Sequence, residues 1–243
     1  MNANKLTINL SKTNYMIFTN KRSQRKFSIT VGDQEILRCR KAKYLGVIID
    51  DKLTWQHHLQ SLKNKLASGC WALYRLKDYV NKKTLRMVYF GLIYSNLQYC
   101  ISCWGSASQC HLEPLNILNR RAIRTIFNAD RRAHTTPLFH SLNTLKIDDI
   151  YKLQIGKIMH QISTNTYRGN YNITPITHIH NHQTRFSENL NYYMSSSTLK
   201  STSRALSIAG PKLWAQIPSD LKSLPFHRFK FAFRKSLIEQ YSP

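Results

Sequence analysis

The stretch Lys41-Ala42-Lys43-Tyr44-Leu45-Gly46-Val47-Ile48-Ile49-Asp50-Asp51-Lys52-Leu53-Thr54-Trp55 decides the fold. From Tyr44 to Ile49 it is rich in β-branched and aromatic residues and is interrupted only by Gly46, which reads as a strand with one bare position. A glycine inside a strand marks a bulge or a close approach by another backbone or a ligand. Lys41 and Lys43 precede the run, and from Thr54 the apolar spacing changes from two to helical. A strand flanked by cations therefore hands over to a long basic helix, with a small sheet expected upstream and helices downstream.

Upstream, Leu6 to Asn9 alternates weakly and Tyr15 to Thr19 has strand composition. Phe27 to Val31 and Gln34 to Leu37 are separated by Gly32-Asp33, a hairpin signal. Together with the Tyr44 strand these predict one small antiparallel sheet, marginal unless something covers it. Downstream, Trp55, Leu59, Leu62, Leu66, Leu73, Leu76 and Val80 form one face of a helix, with a gap at Gly69-Cys70 and with Lys63, Lys65 and Lys77 off the stripe. Asn81 is a good cap for a second helix over 82–102. A third is expected over 112–127 with Pro114 in its first turn. Thr135 or Thr136 is expected to cap a short helix at Pro137, and Asp148-Asp149 to open another through about Ile162. The stretch 164–203, rich in Asn, Ser, Thr and His, reads as a polar loop or linker. Leu213-Trp214 and a helix from Phe226 to about Tyr241 close the chain. The fold class is α+β, and the expected division is 1–53, 54–163, 164–203 and 204–243.

A chain of 243 residues buries roughly 70–75% of its unfolded surface. Lys and Arg number 36 against 12 Asp and Glu, a net charge of +24. An excess of that size makes a compact state repel itself unless polyanions share its surface, and nucleic acid is the economical partner, with an anionic membrane second. The charge is spread along the chain, which favours a folded binding surface over a disordered arm. Five cysteines and no secretory leader point to reduced thiols in an intracellular setting, with no disulfide partner. Met87 to Leu112 lacks acidic and basic residues apart from His111, but Asn96, Gln98 and several serines interrupt it, so a buried helix is preferred to a membrane span and no membrane partner is expected.

The phrase "KYLGVIIDDKLTW" resembles the segment that closes the palm of the reverse transcriptase of non-LTR, jockey-like retrotransposons. "NANKLTINLSKTNYMIF" (Asn2 to Phe18) resembles the palm segment after that family's catalytic aspartate pair. "LNILNRRAIRTIF" (Leu115 to Phe127) and "AGPKLWAQIPSDL" (Ala209 to Leu221) are similar to later phrases of the same elements. The resemblance implies the end of a palm, a helical thumb-like region and a helical tail. It also implies an RNA–DNA template–primer as partner and a nuclear or cytoplasmic ribonucleoprotein setting. The Mg²⁺ ions of the full-length enzyme would be held by aspartates lying before Met1, leaving no cofactor and no catalytic residue in this chain.

Polymerases clamp two metal ions with carboxylates because attacking and leaving oxygens must both be stabilised. Asp50-Asp51 and Asp148-Asp149 are the available pairs, and both read as decoys. The first follows the glycine-bearing strand, where the family's catalytic turn does not lie, and the second sits where a helix N-terminus favours acids. Lys12 matches a palm lysine that the resemblance places near the triphosphate; the plainer alternative is a strand-edge lysine. Tyr44, Leu45 and Gly46 match the primer grip, a hairpin holding the growing 3′ end, against the alternative of an ordinary bulge, and Lys43 beside them is a further nucleic-acid-binding candidate. Arg120, Arg121, Arg124, Arg131 and Arg132 form the densest arginine group, the first three opposite the Leu115/Leu118/Ala122/Ile126 stripe, and guanidinium forks suit phosphate oxygens. A solvated helix face is the alternative. Arg22, Arg25 and Lys26 form a second basic cluster. Cys100, Cys103, Cys110 and His111 have zinc-ligand types at poor spacing, and His178, His180 and His182 alternate in the polar loop. The rival functions are a non-enzymatic basic module that binds structured RNA or DNA by shape, and a helical scaffold whose charge only keeps it soluble.

Overall fold

A computed structural model describes residues 9–19, 28–169, 173–179, 191–194 and 206–242. The chain divides into two compact units, Met1–Gln60 and Ser61–Pro243.

In the first unit, a 3₁₀ turn at Leu10–Lys12 leads into β1 (Asn14–Tyr15). β2 (Ile29–Val31) and β3 (Gln34–Arg38) form the expected hairpin, in the register Val31↔Gln34. Gly32 sits in its turn at φ 60, the left-handed conformation that a glycine adopts without a steric penalty. The sheet order is β1-β3-β2, and β1 runs parallel to β3, with Asn14 opposite Leu37. The small antiparallel sheet expected of an α+β chain is present in the β2–β3 pairing, and β1 adds a parallel neighbour that it reaches through a long connection and not a hairpin.

β4 (Lys41–Tyr44) and β5 (Val47–Asp50) make a separate two-stranded antiparallel piece. Tyr44 pairs with Val47 across a two-residue turn, so the single strand expected from Tyr44 to Ile49 is two strands. Leu45 and Gly46 both have positive φ, 45° and 82°. That is the signature of a type I′ turn, whose twist matches that of the flanking strands. Gly46 is therefore the pivot of a turn and not a bulge.

Asp50 ends β5 and organises the loop beyond it. Its Oδ1 accepts from the backbone N–H groups of Lys52 and Thr54, at 3.2 and 2.9 Å, and its Oδ2 from that of Trp55 at 2.9 Å. Leu53 and Trp55 have positive φ in this loop, which one carboxylate holds together. Helix α1 (Gln56–Leu76) begins immediately after it.

In the second unit the stripe predicted on α1 is buried at Leu62, Leu66 and Leu73, and Cys70 fills the gap between them. Burial pushes the Cys70 thiol up to about 11, with the nearby Arg121 charge opposing. α2 (Lys82–Tyr89) is capped by Asn81, whose side chain accepts from the Thr84 N–H at 3.0 Å. The expected continuous helix to Ser102 breaks up: a π turn at Phe90–Tyr94, α3 (Ser95–Gln98), then a reversal at Cys100 (φ 51) before α4 (Ile101–Trp104). The Trp104 indole donates back to the Tyr99 carbonyl at 2.9 Å and fastens the break. Among the described residues no helix is long and apolar enough to cross a membrane.

α5 (Gln109–Ile126) starts earlier than expected, so Pro114 lies inside it. α6 (Thr136–Leu142) carries Pro137 in its first turn, but Thr135 gives no side-chain cap. α7 (Ile147–Ser163) has Asp148 and Asp149 in its first turn, as predicted. Three helices end on asparagines in the left-handed region, Asn128, Asn143 and Asn165. Behind each, a backbone N–H reaches back five residues, as in Ala129 to Arg124 and Thr144 to Phe139, closing the last turn.

The polar stretch after α7 is partly packed: Pro175 bridges Tyr192, and Ile173, Asn191 and Tyr192 are buried. α8 (Leu206–Gln216) and α10 (Phe226–Glu239) lie against α7, with the short α9 (Ser219–Lys222) between them. Gly156 makes the α7–α10 approach possible, since a Cβ there would stand 2.5 Å from the Phe233 ring. The aromatic core is Trp214, Phe229, Phe233 and His160, whose Nε2 donates to the Leu224 carbonyl at 2.7 Å. Lys222 is buried beneath them, donating to Asn191 at 3.0 Å, and burial lowers its ammonium from the ordinary lysine value.

Candidate nucleic-acid interface

Helix α5 carries its arginines around more than one side. A residue advances about 100° along an α-helix, so Arg120 and Arg121 diverge while Arg121 and Arg124 share a side. Arg120 donates to Glu113 Oε1 at 2.5 Å, two turns back on the same face. Both side chains line a hollow of about 320 Å³ with Lys146, Asp148 and His134, where positive and negative groups mix. Burial raises the Asp148 carboxyl above its usual range, and the neighbouring Asp149 adds to it.

On the other side, Arg121, Arg124 and Arg131 line a hollow of about 540 Å³ with Lys77, Tyr74 and Ile117. Among the described residues no acidic side chain lines it. Arg124 is partly structural, because its Nε donates to the Ala133 carbonyl at 2.9 Å and pins the loop that carries Arg131. Arg132 lies outside the hollow and its backbone N–H donates to Asp130 Oδ1. The arginine group of the sequence is thus divided: Arg121, Arg124 and Arg131 converge, Arg120 is paired elsewhere, and Arg132 stands apart.

Lys77, Tyr74 and the neighbouring Trp71 were not among the sequence candidates. Trp71 is 67% exposed and Tyr74 54%, and a cation lies over each ring: Arg75 6.0 Å from the Trp71 centroid, Lys77 5.0 Å from that of Tyr74. The signal was present in the periodicity, since both rings fall off the Leu62/Leu66/Leu73 stripe.

In the first unit, Lys43, Tyr44, Leu45 and Gly46 form the exposed tip of the β4–β5 hairpin, and Lys12 is exposed at the end of its 3₁₀ turn. Arg22, Arg25 and Lys26 lie outside the described residues, as do His180 and His182; His178 ends the 3₁₀ turn Ile176–His178. Among the described residues no three His, Cys, Asp or Glu side chains gather as a metal site. One aspartate of each candidate pair is engaged by the fold. Both Asp50 oxygens are taken by backbone N–H groups. Asp149 is buried and accepts from the Tyr241 hydroxyl and from Lys152.

Comparison with known proteins agrees with the polymerase-like phrases of the sequence. Over 145 residues, 58% of this chain and 16% of the relative, it is 26% identical to a probable RNA-directed DNA polymerase from transposon X-element of Drosophila melanogaster. It is 26% identical over 159 residues, 64% of this chain and 17% of the relative, to the RNA-directed DNA polymerase from mobile element jockey of Drosophila funebris. The chain resembles part of a non-LTR retrotransposon polymerase. A probable RNA-directed DNA polymerase from transposon BS of Drosophila melanogaster is 27% identical over 113 residues, 45% of this chain and 12% of the relative. The matched polymerase segments span about a sixth or less of the relatives' own length. No protein-family model matches the chain, and no solved structure matches it.

Proposed function

We propose that this chain is the C-terminal, nucleic-acid-gripping part of a retrotransposon RNA-directed DNA polymerase and does not polymerise by itself. The observation that carries the reading is the hollow of Lys77, Arg121, Arg124 and Arg131, in which cations from the turn after α1, from α5 and from the loop beyond it converge with no acid among the described residues that line it. Such a cluster carries a repulsion that phosphate oxygens relieve, and guanidinium groups bind them in a fixed fork. On this reading residues 1–53 end a palm, 54–163 grip the template–primer, and 204–243 form a tail. The hairpin tip at Lys43–Gly46 presents exposed backbone and a cation to a sugar-phosphate, in keeping with a grip. Asp50 and Asp149, one from each aspartate pair, are engaged by the fold, and this supports the absence of polymerisation.

The test is anisotropy with labelled RNA–DNA duplex across a salt series. Release of counterions gives a log–log slope of about −0.9 for each phosphate contact on duplex. Arg121→Gln with Arg131→Gln should weaken binding on every sequence and flatten the slope by about two. Arg124 is left intact because it also holds its loop. Lys235→Gln, an exposed cation on α10, serves as the control. An unchanged slope in the double variant removes the hollow from the interface. Primer extension with Mg²⁺ should give no product, and extension that Asp50→Asn abolishes would overturn the non-catalytic reading.

A further inference from the structure

The exposed rings of α1 ask for a partner that the arginine hollow alone does not define. We infer that Trp71 and Tyr74 form a stacking platform for unpaired bases, making the surface selective for single-stranded nucleic acid. The inference rests on the reading of the hollow as a phosphate site.

Trp71 and Tyr74 stand three residues apart on one helix, so their side chains are surface neighbours. Both are more than half exposed. Tyr74 itself lines the hollow with Arg121, Arg124 and Arg131, so a base on its ring would place the adjoining phosphates among the guanidinium groups. Arg75 lies over the Trp71 ring and Lys77 over that of Tyr74, so a base would stack on the face of each ring away from its cation. From Gln56 to Lys77 the chain has no acidic residue, and the exposed positions before Trp71 include Lys63, Asn64, Lys65 and Ser68. Aromatic faces set in a cationic groove that tracks a backbone are the arrangement that holds single strands, because every base has a π-face and only an unpaired base offers it. A duplex has its base faces already stacked, and would meet the hollow through phosphate alone. An apolar protein partner would find these rings fenced by cations, which makes it the poorer occupant.

The experiment uses the full chain with a ten-nucleotide oligothymidylate and with a duplex of the same length. Replacing both rings (Trp71→Ala with Tyr74→Ala) should lower single-strand affinity about tenfold or more, and duplex affinity less than twofold. Trp71→Phe with Tyr74→Phe should restore most of the loss, since stacking survives and the tyrosine hydroxyl does not matter. Both rings are exposed, so far-UV circular dichroism should be unchanged. Oligothymidylate should quench tryptophan fluorescence in the parent and not in Trp71→Phe. Equal loss on single strand and duplex, or no loss on the single strand, overturns the inference. Arg121→Gln with Arg131→Gln should weaken both substrates; if it weakens neither while the ring variant still loses single-strand binding, the platform stands and the phosphate reading fails.

Discussion

Residues 9–60 and residues 61–242 are held together by different physics. In the first unit the described buried side chains are Val47, Asp50, His58 and Leu59, while Leu37, Tyr44 and Leu45 are each about two-thirds or more exposed. Its shape is set by turns, by ladder pairing and by one carboxylate at the β5–α1 loop. In the second unit whole aromatic side chains such as Trp104, Tyr89, Trp214 and Phe229 are fully buried, and packing fixes the helices. Two of the polymerase-like phrases, Asn2 to Phe18 and Lys43 to Trp55, lie in the first unit, where fewer described side chains are buried. Backbone geometry there leaves side chains such as Leu37, Tyr44 and Leu45 facing solvent.

The comparison breaks most visibly on core truncation. Trp214→Ala should cost about 3–5 kcal/mol by removing a buried indole from the Phe229 and His160 rings. Leu37→Ala, at 74% exposure in β3, should stay within about 0.5 kcal/mol. Thermal unfolding followed at 222 nm separates the two. A large effect at Leu37 would mean the first sheet is covered.

The long-range hydrogen bonds of the helical unit give a second, smaller test. The Tyr241 hydroxyl donates to buried Asp149 and accepts from the Lys146 N–H at 3.1 Å, tying the end of the chain to the start of α7. Tyr241→Phe leaves the carboxylate one donor short and should cost about 1–3 kcal/mol at neutral pH. Burial, with Asp149 alongside, raises the Tyr241 phenol well above its ordinary value, and burial does the same to Tyr89. A folded-state value raised in this way leaves stability constant below the unfolded tyrosine value near 10 and erodes it as pH rises past that, because only the unfolded chain ionises. The parent should therefore lose stability above pH 10, and Tyr241→Phe should lose it less steeply, by about 1.4 kcal/mol per pH unit. Denaturant midpoints between pH 8 and 11.5 decide it, and parallel curves would show the phenol to be solvated.

Much of this was legible in the sequence, and the features it hid were non-local or conformational. The α1 stripe followed from a three–four spacing that only a helix explains, and Cys70 completed it because a thiol packs as a small apolar group. Asp149 looked like a helix-start acid and is one, but its partner Tyr241 is 92 residues away and no local pattern joins them. Arg120 read as part of the arginine group because adjacency in sequence hides a 100° turn. Glu113, seven residues earlier and so on the same face, was the available clue. Leu45-Gly46 read as strand because leucine is not a turn residue; the usual signal for that turn is Asn-Gly or Asp-Gly.

That last misreading carries the finest test. Leucine in the left-handed region crowds its Cβ against the following carbonyl at roughly 1–2 kcal/mol, whereas asparagine visits it routinely. Leu45→Asn should therefore tighten the hairpin, by at most about 1 kcal/mol, and Gly46→Ala, forced to φ 82, should loosen it. Amide hydrogen exchange over residues 41–50 reads both directly: slower in the first variant, faster in the second. A faster exchange in Leu45→Asn would mean that the two positive φ values do not describe the turn. The leucine also points its side chain into solvent at the tip, at 71% exposure, in a place that gains nothing for stability from an apolar group. If the hairpin meets a sugar-phosphate as proposed, Leu45→Asn should bind template–primer more weakly while exchanging more slowly. Stability and contact would then move in opposite directions at a single residue, as expected where a surface turn is shaped for what it touches and not for the fold behind it.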